Sequence, residues 1–420
     1  MAPTPLHRTP RSADDVIGDL DRLRADDVQW SQGRAFGMVY DGGSTVHDVA
    51  ERAAAMYLHE NALNTKAFPS LARLQSDVVS WTASLMHAPE SAAGFMTSGG
   101  TESIQVAVLA ARERARVERG VTQPNMVISD TTHAAFHKSA HMYAMEVRKV
   151  ACRPDFTADV HAMATHVDEN TVLVVASAPQ YPQGVIDPIP AIAELAATVD
   201  ANCHVDACMG GFVLPFAEMI GRDVEPWDFR VDGVHSISAD VHKLGYAPKG
   251  ASVIVYRNRE LRAHQTFVFS DWLGGFYASP NLQGTRSGLP MATAWAVMST
   301  LGLEGYMYLT RRTLDTADAI RRAVREIDGI TVLGDPRFHL LTITRDDTSS
   351  SPLDAFALGD ALLARGWFHD RQSPPDSLHA TVSNSNVDHL EAYLADLAEC
   401  AELVRGSVAS DRSTNYSTLE

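Results

Sequence analysis

Five short runs rich in β-branched residues, 125-NMVIS, 171-TVLVVAS, 203-CHVDA, 234-VHSIS and 251-ASVIVY, alternate with helix-length amphipathic segments at 44–59, 70–87, 101–119, 189–200 and 291–303. Strands that are apolar throughout must be covered on both faces, so this alternation predicts an α/β fold with a mostly parallel central sheet and helices on each side. After Gly305 the texture changes. A charged amphipathic helix at 306–327 leads into 338-FHLLTITR, a helix at 353–365, a strand near 378-LHATVS and a last helix at 387–404, which reads as a smaller α+β domain. The 420 residues therefore divide into an N-terminal segment (1–59, with 1–13 expected to be disordered), a large domain (60–305), a small C-terminal domain (306–405) and a polar tail (406–420) expected to be disordered.

Charge limits the partners. Lys+Arg 35 against Asp+Glu 52 gives a net charge of −17, a field that repels phosphate backbones and excludes nucleic acid as a partner, so any anionic ligand must be held by local groups. Cys152, Cys203, Cys208 and Cys400 are too scattered to staple the chain, and no C-x-x-C pair exists, which fits a reducing compartment. The N-terminus lacks the apolar stretch of a signal peptide, and runs such as 171-TVLVVASAP fall far short of the ~20 residues that span a membrane. A cytoplasmic protein without a transmembrane segment is expected.

Three segments carry chemistry. In 97-TSGGTESIQVAVLAARERAR, Gly99 and Gly100 allow a tight turn directly before a helix, whose unpaired N–H groups and positive dipole end form an anion cradle. The turn is neither a Walker A loop nor a dinucleotide fingerprint. In 203-CHVDACMGG, Asp206 stands where a strand of an open α/β sheet ends, the usual place for a ligand. In 236-SISADVHKLGYAPKGASVIVY, Lys243 follows a strand in apolar, Gly-rich surroundings, where desolvation is expected to lower its pKa and make it a nucleophilic amine. Each alone has a bland explanation: a helix cap, a turn-capping Asp, a solvated surface lysine. Together they meet the needs of pyridoxal 5′-phosphate, namely a phosphate cradle, an acid at the pyridine nitrogen and a lysine for a Schiff base. His133, between cradle and acid in chain order, supplies a flat imidazole for the ring face.

With TSGGTESI, HAAFHK, PQYPQGVIDPIP, HVDACMGGF, SISADVHKLGYAPKGAS, DWLGGFYASP and QGTRSG in place, the chain from about Tyr40 to Leu403 resembles the sphingosine-1-phosphate lyase branch of the fold-type-I pyridoxal-phosphate enzymes, within the group II decarboxylase superfamily. The resemblance implies that Lys243 is the Schiff-base lysine, that His133 stacks on the ring and that Asp206 pairs with the pyridine nitrogen. It also implies that Ser98, Gly99, Gly100, Thr101 and His242 surround the phosphate, and that Tyr40, Lys249 and Tyr277 line the substrate end. Gly284, Thr285 and Arg286 match a segment that crosses a homodimer interface. Two positions depart from the family pattern: Asn64 stands in 61-NALNTKAFP where a histidine associated with the substrate phosphate is usual, and Gln183 replaces another histidine.

The expected reaction is retro-aldol cleavage of the C2–C3 bond of a 2-amino-3-hydroxy substrate, releasing an aldehyde and an amine such as phosphoethanolamine, with Tyr277, Lys249 or the substrate phosphate as base. Decarboxylation on the same scaffold is the alternative, and a dimeric scaffold without catalysis is a second one that retention of Lys243 and Asp206 argues against. No metal is expected. His133, His137 and His141 recur at i, i+4, i+8 but lack the acid of a zinc-protease helix, and Cys203 and Cys208 read as small core residues. Ser98 is not in a hydrolase elbow. The acidic 14-DDVIGDLDRLRADD stretch reads as a solvated helix face.

Overall fold

The computed structural model describes residues 3–25, 27–28 and 30–414. Seven strands, β1 (Ala93–Thr97), β2 (Asn125–Ser129), β3 (Glu146–Val150), β4 (Thr171–Ser177), β5 (Asn202–Asp206), β6 (Val234–Ala239) and β7 (Ser252–Tyr256), form one sheet in the order β1-β7-β6-β5-β4-β2-β3. β7 alone runs antiparallel to its neighbours. The other six strands therefore end at one edge of the sheet, and the chemistry-bearing segments all leave from that edge.

The apolar runs form the buried centre. Every residue of β2, β4, β5 and β7 is buried, and Val174, Val205, Ile237 and Val253 belong to the largest core cluster. Two strands of this sheet were not foreshadowed by sequence. β1 reads AGFMT, with its only β-branched residue last; β3 reads EVRKV, the charged composition that suits an outer strand.

The first five helices are α1 (Ala13–Leu23), α2 (Ser44–Met56), α3 (Pro69–Leu85), α4 (Gly100–Arg119) and α5 (Ala135–Tyr143). α1 buries no residue and is capped by Ser12, whose hydroxyl accepts the Asp15 N–H. The segments expected as separate helices at 291–303 and 306–327 form one run, Leu289–Glu326, interrupted where Gly302 takes φ 53° and ψ −171°. This run leads into the second sheet.

An exposed hairpin, β8 (Phe267–Phe269) and β9 (Tyr277–Ser279), precedes that long helix. Beyond it, β10 (Ile330–Val332), β11 (Leu340–Arg345), β12 (Asp370–Gln372) and β13 (Ser377–Thr381) form an antiparallel sheet in the order β10-β11-β13-β12. Its own core gathers Phe356, Trp367, Leu378 and Tyr393. Residues 406–414, expected to be disordered, lie on this unit. Ala409 is buried, Arg412 stacks 4.7 Å over Phe356 and pairs with Asp354 and Asp376, and the Asp411 carbonyl accepts from Arg371. The basic residues find carboxylates that only the folded domain collects. Residues 1–2 and 415–420 of the expected disordered ends lie outside the described residues.

Candidate active site

Four strand ends deliver the site. β1 runs into the Ser98-Gly99-Gly100 turn and α4, the connection after β2 carries His133, β5 ends on Asp206, and β6 is followed by Asp240, His242 and Lys243. β7 starts at the same edge, so Lys249 lies directly before Ser252.

The glycines of the turn are required by close approach. A Cβ on Gly100 would stand 2.8 Å from Cys208 Sγ and 2.9 Å from Asp240 Oδ2, and one on Gly99 would stand 3.3 Å from the His242 ring. Ser98 and Thr101 are exposed, and their hydroxyls make no hydrogen bond among the described residues. One expected donor is already used: the Ser98 N–H donates to Glu102 Oε2 at 2.6 Å. Glu102, which sequence reading passed over, is buried and also accepts from the Leu282 N–H at 3.0 Å and Asn281 Nδ2 at 3.3 Å, tying the cradle to the segment before Gly284.

His133 does not share a helix face with His137 and His141. It precedes α5, while the other two are exposed on the helix. No metal-binding cluster of His, Cys, Asp or Glu exists among the described residues. His133 Nδ1 accepts the Ala135 N–H at 3.1 Å, and burial holds its pKa below the ordinary value, so the ring is neutral with its proton on Nε2.

Asp206 is buried. Its Oδ1 accepts the Cys208 N–H at 3.0 Å and the Ser238 hydroxyl at 3.3 Å, and its Oδ2 carries no hydrogen bond among the described residues. A buried carboxylate oxygen without a donor is suited to a ligand's N–H⁺.

Lys243 departs from expectation. Burial alone would lower its pKa, but Asp240, with Oδ2 3.0 Å from Nζ, outweighs burial and raises it. Asp240 is itself buried. Burial opposes its charge, yet Lys243 holds its pKa low, and the Ser252 hydroxyl donates to Oδ1 at 2.5 Å. Ser252 continues a buried hydroxyl chain through Ser103 (3.0 Å) to Thr97 (2.6 Å). His242 is held neutral, near pKa 4, chiefly by burial. Its Nδ1 accepts the N–H groups of Gly250 and Ala251, which leaves the proton on Nε2, a nitrogen 3.7 Å from Asp240 Oδ2.

The depressed lysine is Lys249. The residue as a whole is exposed, but partial desolvation of its ammonium, with Lys243 nearby, brings its pKa down to about 8. Nζ donates to the His242 carbonyl at 3.2 Å and lies 4.7 Å from the centre of the Tyr40 ring. Lys243, Lys249, Tyr40, His242 and Asp206 thus gather at one edge.

The remaining expected residues behave differently. Asn64 is exposed, with its side-chain oxygen accepting the Lys66 N–H at 3.0 Å in its own turn. Gln183 is buried and pairs with Gln180. Tyr277 sits on the exposed β9, packed against Trp272 and Phe267, and Gly284 and Thr285 are exposed with open space beyond Gly284. Arg286 is turned to its own chain, bonding Gln75 at 2.7 Å and stacking on Phe95.

The cradle that only glycines permit, the open oxygen of Asp206, neutral His133 and Lys243 fit pyridoxal phosphate. Comparison with known proteins agrees. The family profile described as "Pyridoxal-dependent decarboxylase conserved domain" matches residues 1–342. A sphingosine-1-phosphate lyase of Oryza sativa is 39% identical over 412 residues, covering 96% of this chain and 75% of the relative. The solved structure of a Burkholderia pseudomallei sphingosine-1-phosphate lyase superposes with a TM-score of 0.91 at 36% identity, covering 96% of this chain and 94% of that one. A glutamate decarboxylase of Lactobacillus brevis shares the fold, with a TM-score of 0.83 at 21% identity.

Proposed function

The chain belongs to the pyridoxal-dependent decarboxylase family, and from that premise we propose that it is a pyridoxal-phosphate-dependent carbon–carbon lyase of the sphingosine-1-phosphate lyase type. Its substrate is a phosphorylated long-chain 2-amino-3-hydroxy base, cleaved between C2 and C3 to an aldehyde and phosphoethanolamine. The observation that carries this reading is the placement of two lysines at one sheet edge: Lys243 Nζ lies 3.0 Å from Asp240 Oδ2, and Lys249 Nζ lies 4.7 Å from the centre of the Tyr40 ring.

Bound at this edge, pyridoxal phosphate supplies a protonated ring that withdraws electrons from the carbon bearing the substrate amine. Ser98, Gly99, Gly100, Thr101 and His242 would hold its phosphate, neutral His133 would lie against the ring face, and Asp206 Oδ2 would accept the ring N–H. Lys243 would be the attachment residue, and Asp240, 3.0 Å from its Nζ, would pair with its ammonium whenever the amine is free. Lys249 Nζ, when neutral, would accept the proton of the C3 hydroxyl as the aldehyde leaves, and the resulting ammonium would return that proton to C2.

The active unit is a two-fold dimer in which the exposed Gly284 and Thr285 reach the partner's site, while Arg286 stays with its own chain and Tyr277 lines the substrate end. Support comes from the β8–β9 hairpin, where Phe267, Phe269, Trp272, Leu273 and Phe276 form an exposed apolar surface that a second copy would cover. No helix among the described residues is long and apolar enough to cross a membrane. The four free cysteines suit a reducing compartment, so the cytoplasm is the proposed location.

Incubation of the loaded enzyme with a phosphorylated long-chain base tests the reaction: a fatty aldehyde is expected, whereas carbon dioxide from an amino acid panel with no aldehyde from the base would make it a decarboxylase. The substrate phosphate has a neutral donor at Asn64, where a histidine would add a charge-assisted bond. Asn64→His is therefore expected to raise the preference for phosphorylated over unphosphorylated substrate, in kcat/KM, by about tenfold, the equivalent of ~1.4 kcal/mol.

A further inference from the structure

We infer that His204 is a positioning residue that, through Ser238 and Asp206, keeps the proton on the cofactor's ring nitrogen. This rests on the reading that Asp206 Oδ2 faces that nitrogen, and it adds to the site a residue that touches neither cofactor nor substrate.

The arrangement follows from strand register. β5 and β6 are parallel, and a register shift between Cys203 and His204 sets His204 beside Ser236 and Asp206 beside Ser238. Alternation along each strand puts His204 and Asp206, and likewise Ser236 and Ser238, on one face of the sheet. His204 Nδ1 lies 2.8 Å from Ser236 Oγ, His204 Nε2 lies 3.2 Å from Ser238 Oγ, and Ser238 Oγ lies 3.3 Å from Asp206 Oδ1. His204, Ser236 and Ser238 are buried, so solvent does not compete for these bonds.

Only one assignment of protons satisfies all the partners. An ionised Asp206 can only accept, so the Ser238 hydroxyl donates to it. The Ser238 oxygen then receives its hydrogen bond from His204 Nε2–H, with the Cys208 thiol a second donor at 3.4 Å. His204 Nδ1 is left as the acceptor for the Ser236 hydroxyl. The ring is neutral, as burial requires, with its pKa brought down to about 4.

The direction of the effect follows. In a site shielded from water, the proton between a carboxylate and a pyridine nitrogen can rest on either atom, and the charged arrangement, with the proton on nitrogen, survives only where other donors stabilise the carboxylate. Ser238 is such a donor, and a hydroxyl whose own oxygen accepts from an imidazole N–H donates more strongly. Cutting the relay moves the proton toward Asp206 and weakens the electron withdrawal that the chemistry needs.

The test uses the full-length enzyme loaded with pyridoxal phosphate labelled with ¹⁵N in the ring, read by ¹⁵N NMR, for wild type, Ser238→Ala, His204→Phe and His204→Gln. Wild type is expected at the protonated-pyridine position. Ser238→Ala and His204→Phe are expected to shift toward the neutral position with kcat about tenfold lower and KM within about twofold. His204→Gln, which keeps an N–H for Ser238, should recover most of both. A merely structural histidine would lower stability without moving the ¹⁵N signal. If His204→Phe does not fold, Ser238→Ala decides, since it removes one oxygen only. Variants that bind cofactor and keep the wild-type signal overturn the inference and leave the lyase reading intact. A wild type that forms no visible cofactor band overturns the reading of the site, and the relay with it.

Discussion

The ends of β5 and β6 place two buried aspartates on neighbouring strands at one edge of the sheet, and their surroundings divide the work between them. Asp206 receives neutral donors on one oxygen and keeps the other open. Asp240 is saturated by the chain itself, with Lys243 at 3.0 Å, the Ser252 hydroxyl at 2.5 Å and the His242 ring at 3.7 Å. A buried carboxylate with an open oxygen is reserved for a cation from outside, whereas one already paired is a counterion for the protein's own lysine. Location alone does not distinguish the acid that a ligand uses from the acid that holds the nucleophile ready.

The largest expected consequence falls on Asp206. Asp206→Ala should lower kcat by several orders of magnitude while the cofactor remains attached to Lys243, because an unprotonated ring cannot accept the developing charge. Steady-state kinetics alongside the visible spectrum check this, and near-normal turnover would remove the distinction between the two acids.

Stability should rank them in reverse. In protein stripped of cofactor, Asp240→Asn leaves the Lys243 ammonium without its partner and should cost about 3 kcal/mol in urea unfolding, whereas Asp206→Asn keeps an acceptor oxygen for its uncharged donors and should cost about 1 kcal/mol. Equal losses would mean that Asp240 is no more a counterion than Asp206. Because the folded-state pKa of Asp240 is held below its ordinary value, this stabilisation is present at neutral pH and is lost as the pH falls through that lowered value.

The smallest effect separates the two lysines that these surroundings tune. If Lys249 is the base, it must be neutral, so log kcat should climb with pH and level off near the pKa of about 8 to which burial lowers it. Lys249→Arg, which stays charged, should abolish that rising limb, while a limb that persists assigns it to another group.

Much of this was legible from residue order. The runs 171-TVLVVAS and 251-ASVIVY are buried strands, the glycine pair opens a helix, and Asp206 and Lys243 end or follow a strand, all as expected. The histidines at i, i+4, i+8, set aside as a metal site from the sequence, do not even share a helix face, because α5 starts at Ala135, after the first of the three. Lys243 did mislead. The apolar texture of its neighbourhood signals desolvation, but the sign of its shift depends on an acid three residues earlier, whose direction only the turn after β6 determines. Asp240 stood in the same block and its i, i+3 spacing was available; Glu102 likewise stood inside the cradle motif, where it reads as an ordinary first-turn acid.

By itself, the order of residues determined that a mostly parallel sheet would form and which segments would leave its edge, because apolar runs and helix periodicity are local properties that burial enforces wherever the chain folds. It also determined the chemical repertoire of a glycine turn, an acid and a lysine. Tertiary structure alone decided which acid is open and which is paired, which lysine is charged and which depressed, and which proton each buried histidine keeps. Those outcomes depend on partners brought together from distant parts of the chain, such as Ser252 beside Asp240 and Ser238 between His204 and Asp206. Hydrogen bonds and Coulomb attraction in a buried site act over a few ångströms, and sequence distance carries no measure of that.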